Sequence, residues 1–165
     1  LCFSIQYAHL PLYKASLRRL SMSEKPVTAA IEGWFTLDGD KPHLIGTCCK
    51  QCGTYYFPKQ TQFCRNPACD SSEFDEVPLS RTGTLWSYTD AQYKPPEPFV
   101  AAEPYVPYAI AAVQLEKEKM IVLGQVVTGV GVDQLKVGKK VELVLETLHE
   151  DDDSVKVTWK WKPTE

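Results

Sequence analysis

Cys49-Lys50-Gln51-Cys52-Gly53 and Cys64-Arg65-Asn66-Pro67-Ala68-Cys69, with eleven residues between Cys52 and Cys64, are the segments on which the reading of this chain turns. Two short loops, each carrying two cysteines, can offer four thiolates to one point. Zinc(II) takes four such ligands in a tetrahedron with Zn–S near ~2.3 Å. Gly53, directly after Cys52, permits the positive φ that turns backbone amides toward a sulfur, and Pro67 stiffens the second loop. The second spacing is four residues rather than two. Cys48 stands beside Cys49 as a competing ligand, but Cys49 gives the compact Cys-x-x-Cys-Gly loop. Buried free thiols and a redox pair are the other readings. The expectation is one structural Zn²⁺ on Cys49, Cys52, Cys64 and Cys69, because four thiolates leave no open position for catalysis.

Around this centre the pattern is mainly β. His43–Thr47 and Thr54–Phe57 read as strands flanking the first loop, and Glu73–Val77 leads out of the second. From Thr82 onward β-character is sustained. Tyr108–Leu115 and Met120–Val127 form a hairpin about Glu116–Lys119. Val141, Leu143 and Leu145 share one face of the next strand. In the last, Val155, Val157, Trp159 and Trp161 face one way, with Lys156, Thr158 and Lys160 on the other. About five strands in roughly eighty residues suit a small closed barrel of the OB type, which has no free edges.

Upstream, Ser23-Glu24-Lys25-Pro26 resembles a helix start, and Val27, Ile31, Trp34 and Phe35 recur at spacings that suit one helical face. The expected organisation is therefore an N-terminal extension over 1–22, foreign to the natural protein or a transit-like segment, a short helix over 23–40, a zinc ribbon over 41–79 and an OB-fold domain over 80–163. Between strands, 92–108 carries Pro95, Pro96, Pro98, Pro104 and Pro107 among Tyr93, Phe99, Tyr105 and Tyr108. Prolines lower the entropy lost on ordering, so this loop suits a stiff wall for a ligand or partner, or a cover over one barrel end.

The chain has 165 residues, 44% hydrophobic and 24% charged, with a net charge of −3. No basic excess is available for a phosphate backbone, and no apolar run is long enough to span a bilayer. Six cysteines without a secretory signal point to a reducing, cytoplasmic setting. The three histidines are scattered. No Ser-His-Asp set, carboxylate pair or phosphate loop is present, so nothing supports catalysis by this chain alone.

Gly33-Trp34-Phe35, Pro42-His43-Leu44-Ile45-Gly46, Cys49-Lys50-Gln51-Cys52-Gly53-Thr54-Tyr55-Tyr56-Phe57-Pro58, Cys64, Cys69 and Gly83-Thr84-Leu85-Trp86-Ser87-Tyr88-Thr89 follow in that order. In this, residues 27–162 resemble the zinc-ribbon/OB-fold proteins of acyl-CoA metabolism, formerly a domain of unknown function. The resemblance implies a rubredoxin-like ribbon before a five-stranded OB barrel, in a non-catalytic subunit. Such subunits pair with thiolase-like enzymes, including lipid-transfer-type thiolases and aldolases, and help bind acyl-CoA. The Cys64–Cys69 loop is most similar to the actinobacterial branch that degrades steroid side chains. Cys48 stands where the family often has Arg. The expected complex is a heterotetramer, two such chains on an enzyme dimer. Ile31, Trp34, Phe35, Phe99, Tyr105 and Tyr108 are the candidate contacts to partner or acyl-CoA. A single-stranded nucleic-acid module is the alternative reading, since ribbons and OB barrels both occur there.

Overall fold

The computed structural model describes residues 25–38, 41–96, 100–101 and 103–164. Two sheets carry the fold. In the first, β2 (Ile45–Cys49) lies between β3 (Tyr55–Tyr56) and β4 (Phe74–Pro78), antiparallel to both. Gly46 is required where β2 passes β3: a Cβ there would stand 2.7 Å from the Tyr56 carbonyl oxygen. The loop after β3 is fastened to β2 by Thr47, whose hydroxyl donates to the Gln60 carbonyl (3.1 Å) and accepts from the Gln60 amide (3.0 Å). Both residues are buried, and both polar groups are thereby satisfied.

The second sheet closes on itself. β5 (Thr82–Ala91), β6 (Tyr108–Leu115) and β7 (Ile121–Val126) form an antiparallel meander. β8 (Lys140–Glu150) pairs with β5 at one end and with β9 (Val155–Pro163) along its length. β7 meets β9 in parallel through Gln125↔Lys160 and Val126↔Trp161, which completes a five-stranded barrel. Alternation sends Leu85, Ala111, Val113, Leu115, Val122, Val141, Leu143 and Trp161 into its core. Each large apolar side chain so buried contributes roughly 1.5–3 kcal/mol.

The expected helix over 23–40 is not formed within residues 25–38. Val27–Ala29 are instead strand β1, which runs parallel to β9 opposite Val155–Val157, and the Ala30 amide donates to the Val157 carbonyl (2.8 Å). Gly33 then takes φ +73°, outside the helical region, and Phe35 bridges to Leu44. The helical spacing of Val27, Ile31 and Trp34 is fortuitous. Val27 and Ile31 are exposed, Trp34 is half-buried, and β-branched Val27 and Thr28 go to the strand partner the barrel offers.

Trp34 and Phe35 pack within the chain. Trp34 packs on Phe57 of the ribbon (ring centroids 5.3 Å apart) and on Trp159 of the barrel (5.9 Å), while Phe35 meets Trp159 edge-on at 5.7 Å. This cluster seals the ribbon to the barrel, each pair adding about 0.5–1.5 kcal/mol beyond its area burial. Among the described residues, no helix is long and apolar enough to cross a membrane.

Candidate metal centre and barrel cleft

The sulfur atoms of Cys49, Cys52, Cys64 and Cys69 lie within 4.8 Å of one another. Two of the separations are 3.8 Å (Cys49–Cys69) and 3.5 Å (Cys52–Cys64). A tetrahedron with ~2.3 Å metal–sulfur bonds requires sulfurs roughly 3.8 Å apart, so the four side chains fit a zinc ion as they stand. The backbone explains why. Gly53, at φ +70°, returns its amide to the Cys49 carbonyl (2.9 Å), and the Cys49 amide reaches the Thr54 carbonyl (2.9 Å). In the second loop the Cys69 amide donates to the Asn66 carbonyl and the Ala68 amide to Asn66 Oδ1. The longer spacing is thus taken up by a tight turn. Cys48 is outside this group; strand alternation puts it on the other face of β2 from Cys49.

Two hydroxyls orient the sulfurs, and the spacing of the cysteines gave no sign of either. The Thr54 hydroxyl stands 3.1 Å from Cys52 Sγ. The Tyr56 hydroxyl stands 3.1 Å from Cys64 Sγ while accepting from the Arg65 amide. The Cys52 thiol is lowered to about 6, first by the Thr54 hydroxyl and then by its amide. Cys69 is pushed up to about 12: the Ser71 amide lowers it, but burial and the Cys52, Cys49 and Cys64 sulfurs outweigh that. Thiols that share one site must spread in this way, since the last proton leaves against charge already present. A divalent cation removes that conflict and holds all four as thiolates.

A second concavity, a cleft of about 550 Å³, opens at one end of the barrel. Its walls are the end of the Pro-rich segment, including Tyr105 and Tyr108, and the turn after β7 from Val127 to Val132. The Tyr105 hydroxyl donates to the Ala91 carbonyl (2.6 Å) and ties the Pro-rich segment to β5. Lys160 lies at the floor, only 6% exposed, with Nζ 2.9 Å from Glu146 Oε2 and 3.0 Å from Thr128 Oγ1. Of the other candidate contacts, Phe35 is buried, Trp34 half-buried and Ile31 exposed away from any cleft lining. Phe99 lies outside the described residues. Sequence reasoning missed the Thr128–Lys160–Glu146 cluster, whose members come from the turn after β7, from β9 and from β8; Gly129 and Gly131 beside Thr128 were the one local signal.

Comparison with known proteins places the ribbon and the barrel in one family. Residues 38–75 match the model of the ChsH2 rubredoxin-like zinc ribbon domain, and residues 76–146 that of the ChsH2 C-terminal OB-fold domain. The chain belongs to the ChsH2 zinc-ribbon/OB-fold family. This ChsH2-family chain is 37% identical over 125 residues to a DUF35 domain-containing scaffold protein of Methanocaldococcus jannaschii, covering 74% of the chain and 82% of the relative. It is 33% identical over 119 residues to the benzoylsuccinyl-CoA thiolase subunit BbsA of Thauera aromatica, covering 72% and 74%. A solved structure of an Ltp2-ChsH2(DUF35) aldolase superposes with a TM-score of 0.53 at 29% identity, covering 73% of this chain and 84% of that one.

Proposed function

We propose that this chain is a non-catalytic subunit that binds a thiolase-like enzyme, a thiolase or a retro-aldolase, and helps to hold acyl-CoA there. The observation that carries the reading is similarity over nearly three quarters of the chain to a protein named as a thiolase subunit. Likeness to a chain solved in an aldolase complex supports it from a second enzyme class.

Cys49, Cys52, Cys64 and Cys69 would hold the zinc. When bound, it supplies a cross-link between the two loops and no chemistry, because every coordination position is a thiolate. The ribbon then keeps a fixed orientation on the barrel through Trp34, Phe57 and Trp159. The cleft supports an acyl-CoA contact. Its volume lies in the range of small-molecule sites, and Tyr105, Tyr108 and several valines line it together with the polar groups of Asp90, Thr128, Asp133 and Lys160. The third N–H of Lys160 is the natural donor to a carbonyl of the ligand. Breakdown of lipids or steroid side chains in the cytoplasm, with two chains on an enzyme dimer, is the setting implied by the family resemblance.

The alternative, single-stranded nucleic-acid binding, draws no support from Lys160, which is buried and neutralised by Glu146. Sedimentation of the chain with the thiolase-like subunit of the same organism tests the proposal. A complex at micromolar concentration, with thioester turnover only when the enzyme subunit is present, is the expected result. Absence of a complex with or without acyl-CoA, alongside oligonucleotide binding that falls steeply with salt, would replace this reading.

A further inference from the structure

The outer surface of β5, β6 and β7 departs from what a solvated barrel wall requires. In register, Ala112 of β6 stands opposite Leu123 of β7 on one side and Ser87 of β5 on the other, and Gln114 stands opposite Ile121. Ala112 points outward with Leu123, since Ala111 and Val113 fill the core. The β5 register shifts between Leu85 and Ser87, so Trp86 is an extra residue inserted at a bulge. Bulges re-aim side chains, and this one leaves a tryptophan 59% exposed on a central strand. Leu123 is 64% and Ile121 43% exposed beside it.

Along β5, β6 and β7 the neighbouring outward positions Thr84, Ser87, Thr89, Ile110 and Gln114 are all uncharged, in a chain that is 24% charged; the Lys140–Glu116 ion pair borders them only at the Thr82 edge. A neutral surface has no counterions to release against a phosphate backbone and no attraction for an anionic lipid surface. An apolar centre with an uncharged polar rim is the anatomy of a protein–protein interface. Trp86, Ile121 and Leu123 together leave on the order of 300 Å² of apolar surface, the size of a functional patch.

We infer that this face, centred on Trp86 and Leu123 around Ala112, is where the thiolase-like subunit of the proposed complex docks. The inference rests on the reading under Proposed function and names the surface that reading leaves unassigned. Similarity to a protein named as a thiolase subunit and to a chain of an aldolase complex favours an enzyme partner over a second copy of this chain. A stable interface needs roughly 800 Å² per side, more than Trp86, Ile121 and Leu123 supply alone. The adjoining strand ends, where Tyr93 and Val106 are exposed beside the Ala91↔Tyr108 pair, extend the face.

The experiment is calorimetric titration of the zinc-loaded chain into the thiolase-like subunit, comparing wild type with Leu123→Glu, Trp86→Glu and Val137→Glu. Val137 is exposed before β8, outside the face. Zinc content and thermal melting are measured for each variant. The first two should raise Kd by about 30-fold or more, as loss of an interface anchor does, and Val137→Glu should not. A photo-crosslinking residue at position 123 in the otherwise unchanged chain should give an adduct with the enzyme subunit, a readout independent of charge-induced misfolding. If the wild type binds and both face variants bind within about twofold of it, the docking surface is elsewhere and the partner reading survives. If the wild type does not bind, the partner reading falls and this inference with it. If the chain alone sediments as a dimer that Leu123→Glu dissociates, the face belongs to a second copy and the inference is overturned.

Discussion

Lys160 Nζ and Glu146 Oε2 meet 2.9 Å apart beneath the barrel cleft, the lysine side chain 8% and the glutamate side chain 31% exposed. Thr128 completes the contact, donating both its amide (3.1 Å) and its hydroxyl (3.0 Å) to the same carboxylate oxygen. Burial works to raise the Glu146 carboxyl, but the Lys160 ammonium and the two Thr128 donors outweigh it and hold the group below its usual range.

A pH dependence follows from that direction. The folded-state value of Glu146 is depressed, so its contribution is complete above the unfolded value of about 4.3 and is lost as pH falls through the folded one. Glu146→Gln should cost about 2–3 kcal/mol at pH 7, since it leaves Lys160 buried without its counter-charge. The cost should shrink below pH 4. Urea melts of both proteins at pH 7 and pH 3 check this; an equal cost at both values would contradict it.

The metal centre makes a sharper demand. Metal analysis should return about one zinc ion per chain, because the described residues hold one four-thiolate site. Cys64→Ser should lose the metal and destabilise the ribbon by about 3 kcal/mol or more, since binding at such a site is coupled to folding. Cys48→Ser should keep the metal, because that side chain is on the far face of β2. Full retention in Cys49→Ser with loss in Cys48→Ser would reverse the assignment.

Trp34→Ala should act on stability rather than on partner affinity alone. The ring bridges Phe57 and Trp159, and removing it should cost about 3 kcal/mol in a denaturant melt. A melt unchanged within error would show that the ribbon does not depend on this junction.

Gly124→Ala should also destabilise, by about 1–3 kcal/mol. A Cβ at this inward position would fall 2.7 Å from Nε1 of Trp161 and 2.8 Å from Nε1 of Trp159. Both are rigid rings packed in or against the core and have little room to give. A wild-type melting temperature would mean that the indoles move more freely than their packing indicates.

The sequence by itself determined what is local. Two cysteine loops with Gly53 and Pro67 specify a ribbon whatever follows, because the turn chemistry lies within each loop. Period-two alternation marked the strands around Leu85, Val141–Leu145 and Val155–Trp161, since it needs only a two-sided sheet, while apolar β-rich runs about a Glu-Lys turn marked Tyr108–Leu115 and Met120–Val127. Strand alternation also separates Cys49 from Cys48 once β2 is recognised. What the tertiary structure decided depends on partners distant in sequence. Val27–Ala29 became a strand because Val155–Val157 offered a free edge, and no window confined to 23–40 contains that fact. Trp34 and Phe35 became packing because Trp159 was waiting for them. Thr158 and Lys160 occupy the positions that alternation assigned to the solvent face, yet both are buried. Lys160 is covered by Glu146 and Thr128, 14 and 32 positions away. Periodicity reports which way a side chain points, and only the assembled barrel settles what it meets there.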